Sequence, residues 1–199
     1  MSSFFNMDSP LWRFLGRLAD IMILNIVFLI TCIPIVTIGA AWTSLSYVTL
    51  KMSRDEESYI VKSYFKAFRQ NFRQATVIWI LTLAVMLIFY MDFHIIRNMA
   101  SSMVQIMYVL LSAIALLFGL TLLYVFPVLA KFDNTILNTI KNAFLISISN
   151  LPRTLLMLVV IVGSAVLTFL SQQTIAVGLL VWTMIGFALI AFLNAHILV

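Results

Sequence analysis

Four stretches of this chain, residues 76–90, 103–129, 154–170 and 174–199, contain no Asp, Glu, Lys or Arg. The first is prolonged by Ala75 on one side and by residues 91–96 on the other. A helix of about 20 apolar residues, rising roughly 1.5 Å per residue, crosses the hydrocarbon core of a bilayer. Each of the four is therefore expected to span a membrane. Composition leaves no soluble alternative: 63% of the 199 residues are hydrophobic and 10% charged. A soluble domain is roughly half apolar and a quarter charged. The expected fold is an all-α, polytopic transmembrane helical bundle of about five spans, with 1–199 forming a single transmembrane domain.

The remaining apolar stretch, 21–50, is too long for one straight span. It would run about 45 Å against a hydrocarbon core of about 30 Å. Pro34 lacks the N–H that would bond the Ile30 carbonyl, and Gly39 lies shortly beyond it. We expect a helix over 10–33, a break across 34–39 and a second helix over 40–52. Thr43, Ser44, Ser46 and Thr49 suit that second piece to a protein-facing place. A broken span frees backbone carbonyls, so Pro34, Thr37 and Gly39 mark a candidate solute-binding segment. Ahead of it, 1–18 reads as an interfacial lead-in. Ser9 and Pro10 start a helix whose Leu11, Phe14, Leu15 and Leu18 oppose Arg13 and Arg17.

Charge sets the expected orientation. Lys51, Arg54, Lys62, Lys66, Arg69, Arg73, Lys131, Lys141 and Arg153 fall on the two long polar segments, 51–74 and 131–153. With five spans these share a side, leaving Arg13, Arg17 and Arg97 opposite, and Lys and Arg mark the cytoplasm. This places the loops and C-terminus on the cytoplasmic side of a cell membrane and the N-terminus outside. The alternative is a re-entrant hairpin turning at 34–39, which would bring the N-terminus to the cytoplasmic side.

The two polar segments resemble each other. Lys51 matches Lys131 at an offset of 80; Lys62, Phe65 and Asn71 match Lys141, Phe144 and Asn150 at an offset of 79. This is a weak internal helix-loop-helix repeat. Val61, Tyr64, Phe65, Phe68 and Phe72 make an apolar stripe at helical spacing beside a basic stripe of Lys62, Lys66, Arg69 and Arg73. Ile136, Ile140, Phe144 and Ile148 repeat the pattern more weakly. Both segments read as cytoplasmic amphipathic, interfacial helices on the anionic inner leaflet of the lipid bilayer. Lys62, Lys66, Arg69, Arg73, Lys141 and Asn150 form the candidate inner-leaflet or partner surface.

Catalytic chemistry finds little material. Asp20, Asp92, His94, Arg97 and His196 lie at the ends of spans, and intramembrane charge is the usual flag of function. Asp92 and His94 are two residues apart and do not share a helix face. Cys32 is the sole cysteine, which excludes an intrachain disulfide and a cysteine zinc site. No phosphate-binding loop motif is present. We expect no enzyme activity, no cofactor, no metal and no nucleic-acid partner. Asn25 and Asn194 are expected to hydrogen-bond between helices. Small residues such as Gly119, Gly178 and Gly186 are expected to let helices pack closely within the chain.

Asn25, the segment from Cys32, Ile33 and Pro34 to Gly39 and Ala40, the run 47–51, and Phe65 to Asn71 and Phe72 carry a resemblance. It is densest over 4–76, and the chain resembles the YesL family of bacterial membrane proteins there. The resemblance implies a small multi-span protein of uncharacterised role, encoded beside carbohydrate ABC importers and two-component sensors. It implies an accessory component that contacts ABC importer or sensor kinase subunits. Ile148, Ser149, Asn150, Leu151 and Pro152 are also similar to the loop by which importer membrane subunits dock an ATPase, with one residue more. The competing reading is a small transporter or channel with its site at the broken first span.

Overall fold

A computed structural model of the chain describes residues 10–56, 59–97 and 103–199, and their regular structure is helical. The helices are α1 (Pro10–Cys32), α2 (Ile38–Met52), α3 (Ile60–Arg97), α4 (Val104–Lys131), α5 (Ile136–Ser149), α6 (Leu151–Phe169), α7 (Gln172–Val181) and α8 (Phe187–Leu198). A 3-10 turn, Ile35–Thr37, leads into α2, and a π-helical turn, Trp182–Gly186, joins α7 to α8. Five helical stretches are long and apolar enough to cross a membrane: Leu11–Cys32, Ile60–Arg97, Val104–Lys131, Leu151–Phe169 and Gln172–Leu198. The expected all-α bundle is the fold observed. Residues 1–9, the first half of the lead-in expected over 1–18, lie outside the described residues, and its second half is the start of α1.

The 21–50 stretch departs from the single broken span. Pro34 ends α1 as foreseen, but the 3-10 turn reverses the chain, and α2 returns along α1. Ile21, Leu24 and Phe28 share one core cluster with Leu45, Val48 and Met52. The Phe28 and Trp42 rings meet edge to face at 5.8 Å. At the far end Arg17 pairs with Asp55, which sits at φ 58 in the turn after α2. This is the hairpin geometry, with arms of unequal length. α1 has 23 residues and reaches about 34 Å, whereas α2 has 15 and reaches about 22 Å. The start of α1 and the turn at 53–56 share one end of the bundle. The expectation that they sit on opposite sides is thereby corrected.

The second correction concerns the basic segment 51–74. It is not a separate lipid-lying helix. From Ile60 it is the first part of α3, a continuous helix of 38 residues, about 57 Å long. The foreseen apolar stripe divides. Tyr64 is fully buried and Phe68 half-buried against the α1–α2 hairpin, while Val61, Phe65 and Phe72 stay exposed. Beyond Ala75, α3 pairs antiparallel with α4. Its ring contacts run in opposite order along the two helices: Trp79 with Phe126, Phe89 with Phe118, Phe93 with Tyr108.

The weak repeat is borne out by burial. At an offset of 80, residues 40, 41, 44, 45, 48 and 49 of α2 and residues 120, 121, 124, 125, 128 and 129 of α4 are all buried. At an offset of 79, Ile60, Tyr64 and Ala75 match Thr139, Ala143 and Thr154, again all buried. Asn71 Nδ2 donates to the Ala67 carbonyl at 3.1 Å, and its counterpart Asn150 to the Ile146 carbonyl at 3.4 Å. α2 with the start of α3, and the end of α4 with α5, are thus two versions of one helical hairpin. They differ after the asparagine. Arg73 lets α3 continue, whereas Pro152 has no N–H for helix propagation, and α6 starts afresh at Leu151.

The α6–α7 hairpin closes the bundle. Ser171 caps α7 by accepting from the Thr174 N–H, while the Thr174 hydroxyl accepts from the Ser171 N–H at 2.8 Å. Gly178 allows close approach: a Cβ there would lie 2.6 Å from Thr168 Cγ2. Gly119 behaves otherwise. It is exposed, with no atom within 4 Å of a built Cβ, so it packs no helix of this chain among the described residues.

Candidate functional site

The turn at 34–39 is the first candidate, and its Pro34 and Ile35 carbonyls already accept hydrogen bonds from the protein. Thr37 Oγ1 lies 2.6 Å from the Thr31 carbonyl and 2.7 Å from that of Pro34, and donates to them. The Ile33 N–H reaches the Ile30 carbonyl at 3.3 Å, and Trp79 Nε1 donates to the Ile35 carbonyl at 2.8 Å. Gly39 is needed for contact with α3, since a Cβ would meet the Ala75 oxygen at 2.6 Å and Trp79 Cβ at 2.7 Å. Pro34, Thr37 and Gly39 therefore come together as a turn clamped on α3. Ile33, Ile35 and Val36 form its exposed apolar tip.

The basic stripe survives as a surface. Lys62, Lys66, Arg69 and Arg73 are all exposed, and none forms an ion pair with another described residue. The helix under them is fixed. Tyr64, on its opposite face, lies 2.6 Å by its hydroxyl from Thr31 Oγ1 and 3.4 Å from the Ala41 carbonyl. Exposed Val61, Phe65 and Phe72 flank the cations along one side. Lys141 and Asn150 are exposed on α5 and at its end, but no stripe of cations accompanies them. At the offset of 79, Lys66, Arg69 and Arg73 become Leu145, Ile148 and Pro152.

A third feature was not foreseen. A cavity of ≈ 330 Å³ opens between α2, α4, α6 and α8, with Trp79 of α3 at its edge. Trp42, Phe126, Met157 and Ile190 supply apolar wall, and Ser46, Thr49 and Asn194 are its polar lining; no ionisable side chain lines it. Two backbone and side-chain groups stand out. Pro127, inside α4, cannot give the helical hydrogen bond to the Leu123 carbonyl, and both residues line the cavity. Asn194 Oδ1 is buried and finds no donor among the described residues. The expected interhelical bond of Asn194 is thus absent. Pro127, interrupting an otherwise apolar span, was the signal available in the sequence. A shallower depression between α6 and α7–α8 is lined by Ser164, Thr168 and Thr174, whose hydroxyls bond within the protein.

Asn25 behaves as expected and explains how α8 is oriented. Its Nδ2 lies 3.1 Å from the Trp182 carbonyl and 2.8 Å from that of Thr183, and its Oδ1 accepts from the Ala188 N–H at 3.0 Å. A π-helical turn shifts the helical hydrogen bonds by one residue, and Asn25 engages the backbone where that shift occurs. This ties α1 to the turn that sets the rotation of α8, and so of Asn194.

Comparison with known proteins gives two matches. A family model described as "Protein of unknown function, DUF624" matches residues 21–93. "Uncharacterized protein YesL" of Bacillus subtilis (strain 168) is 25% identical over 148 residues, which cover 74% of this chain and 69% of that protein. No solved structure matches. The two matches bear out the family resemblance, and neither description assigns an activity. The matched region holds the α1–α2 hairpin and the basic stripe. The cavity draws on it only for α2 and Trp79 and takes its other walls from beyond it.

Proposed function

We propose that this YesL-family protein is a non-enzymatic accessory component of the bacterial cell membrane, working beside a carbohydrate ABC importer or its sensor kinase. One observation carries the reading: four exposed cations with no ion-pair partner among the described residues line one face of a helix whose opposite face is locked into the core. A rigid basic ridge flanked by phenyl rings suits an acidic protein surface or anionic headgroups, each cation near such a surface contributing about 1 kcal/mol. The cations at the shared end of the α1–α2 hairpin, Arg13, Arg17, Lys51 and Arg54, support a cytoplasmic place for that end by the positive-inside rule. Arg54→Cys in a Cys32→Ser background should accordingly be labelled by an impermeant maleimide only after the cells are opened.

The test of the role is photo-crosslinking in cells from positions 66 and 72, with the neighbouring importer expressed. Adducts to importer or sensor subunits are expected, and they should fall away in a variant with all four stripe cations changed to Gln. Adducts to lipid alone would overturn the accessory role. The transporter reading loses its original site, because the carbonyls at 34–39 named above carry protein donors. What favours it now is the cavity, which is a different place with different chemistry.

A further inference from the structure

We infer that the cavity between α2, α4, α6 and α8 binds a neutral, largely apolar molecule carrying a hydroxyl group, held by Asn194 and the Leu123 carbonyl. The inference does not rest on the docking role proposed above. Three independent features point the same way. The first is space: ≈ 330 Å³ lies at the small end of ligand sites, enough for a short chain or the end of a longer one. The second is the lining. With no Asp, Glu, Lys, Arg or His in the wall, a charged ligand would enter without a counter-charge and bear the full cost of its desolvation. Ser46, Thr49, Asn194 and the Trp42 indole N–H are its side-chain hydrogen-bonding groups beside Trp79, whose N–H is taken by the Ile35 carbonyl, as the Thr49 hydroxyl is by its own helix. These are too few for a sugar with many hydroxyls, but enough for a single one.

The third feature is the unmet hydrogen bonding. Asn194 is 8% exposed, yet its Oδ1 has no donor among the described residues. A buried polar group left in that state is costly, and it is rare in folded proteins. Asn25, by contrast, satisfies both ends of its carboxamide; the other buried side-chain atom without a partner among the described residues, Thr76 Oγ1, does not line the cavity. A hydroxyl, like a water molecule, both donates to Oδ1 and accepts from Nδ2, and only the alcohol also brings an apolar part that fills the rest of the cavity. Alternatively its proton can go to the Leu123 carbonyl, to which Pro127 has no N–H to donate. Trp42, Phe126 and Met157 then cover the apolar part.

Such an alcohol could come from the bilayer or from water, and the experiment separates them. The full chain is reconstituted in phosphatidylcholine vesicles with two diazirine probes of equal chain length, one ending in a hydroxyl and one in a methyl. Adducts of the alcohol probe should concentrate on Trp42, Phe126, Met157 and Ala191 over the exposed Val159 and Leu167 of α6. Asn194→Leu should lower that labelling about tenfold, the loss of one buried hydrogen bond, and leave the methyl probe unchanged. Asn194→Gln, which keeps the carboxamide, guards against a misfolded variant. Competition by dioctanoylglycerol in the vesicle assigns the site to a membrane lipid; competition by hexanol alone assigns it to a water-borne alcohol. Even labelling of cavity and lipid-facing residues, an unaffected Asn194→Leu variant, or failure of both competitors would overturn the inference.

Discussion

Replacing Asn25 by Ala should be among the most damaging single changes in the chain. Asn25 is fully buried and makes three hydrogen bonds, at 3.1, 2.8 and 3.0 Å, to the backbone of Trp182, Thr183 and Ala188. Within membranes such bonds average about 0.6 kcal/mol and reach about 1.7, and in water they contribute about 0.5–1.5 each. Three of them sum to about 2–4 kcal/mol, and alanine replaces none. The chain has one means of escape: the π-helical turn can anneal to regular α-helix, which re-engages the two carbonyls internally. That route is not free. Removing a π register turns α8 by one residue position, about 100°, and carries Ala188 out of the core and Asn194 off the cavity wall. Either way stability falls, and in the second case the rotation is visible at Trp182, whose Nε1 bond to Thr168 Oγ1 is made at 2.9 Å. The assay is reversible unfolding in mixed detergent micelles, followed by tryptophan emission. A loss below about 0.5 kcal/mol, within ordinary surface effects, together with an unchanged Trp182 signal would refute the view that Asn25 holds this turn in place.

Gly39→Ala should cost about 1–3 kcal/mol in the same assay, because the new methyl meets the Ala75 carbonyl oxygen and α2 must part from α3. A neutral result would mean the two helices are not in close contact there. Tyr64→Phe and Tyr124→Phe each remove a hydroxyl bonded to a threonine, Thr31 at 2.6 Å and Thr154 at 2.8 Å. Each should lose about 0.5–1.5 kcal/mol, and a large inequality between the pair would argue against their equivalent burial. Asn194→Leu should raise stability by about 1–3 kcal/mol without ligand, since it removes an unsatisfied buried oxygen from the wall. A destabilised Asn194→Leu protein would point to a structural bond instead.

The number of apolar spans and the helical class were legible because hydropathy over about 20 residues reports directly on the bilayer. Pro34 was legible as a helix end. What it did next was not, since a proline stops a helix without saying whether the chain kinks or reverses. The reversal is decided by contacts distant in sequence: Arg17 with Asp55, Phe28 with Trp42, Trp79 with the Ile35 carbonyl. The stripe over 61–72 was legible as amphipathic, but the pattern does not say what covers the apolar face. Lipid was expected; α2 does the covering for Tyr64, and this merges the segment into α3. Asn25 and Asn194 look alike in sequence, each a lone carboxamide in an apolar run. Only packing separates the one with three partners from the one whose oxygen has none.

The two related hairpins sharpen where polar work is done. Their buried positions agree along both helices, so packing fixes the same skeleton twice. Their outer faces are free of that constraint and have parted. α3 carries Lys62, Lys66, Arg69 and Arg73, whereas the corresponding positions of α5 and its junction with α6 are Lys141, Leu145, Ile148 and Pro152. Leu145 and Ile148 are exposed, as a lipid-facing surface requires. A cationic ridge built only to complete the fold would be expected in both copies or in neither, because most buried positions beneath them correspond, although the residues that fill them differ, as Tyr64 and Ala143 do. Its presence in one copy makes it a property of the surface and not of the buried pattern, which is what the proposed partner contact requires. Lys141 and Asn150, initially grouped with it, belong to the apolar copy. Asn150 is occupied with the Ile146 carbonyl, and Lys141 stands alone among exposed apolar residues. Substitutions along α3 should therefore disturb partner contact far more than those at Lys141 or Asn150, even though the two helices rest on the same buried pattern.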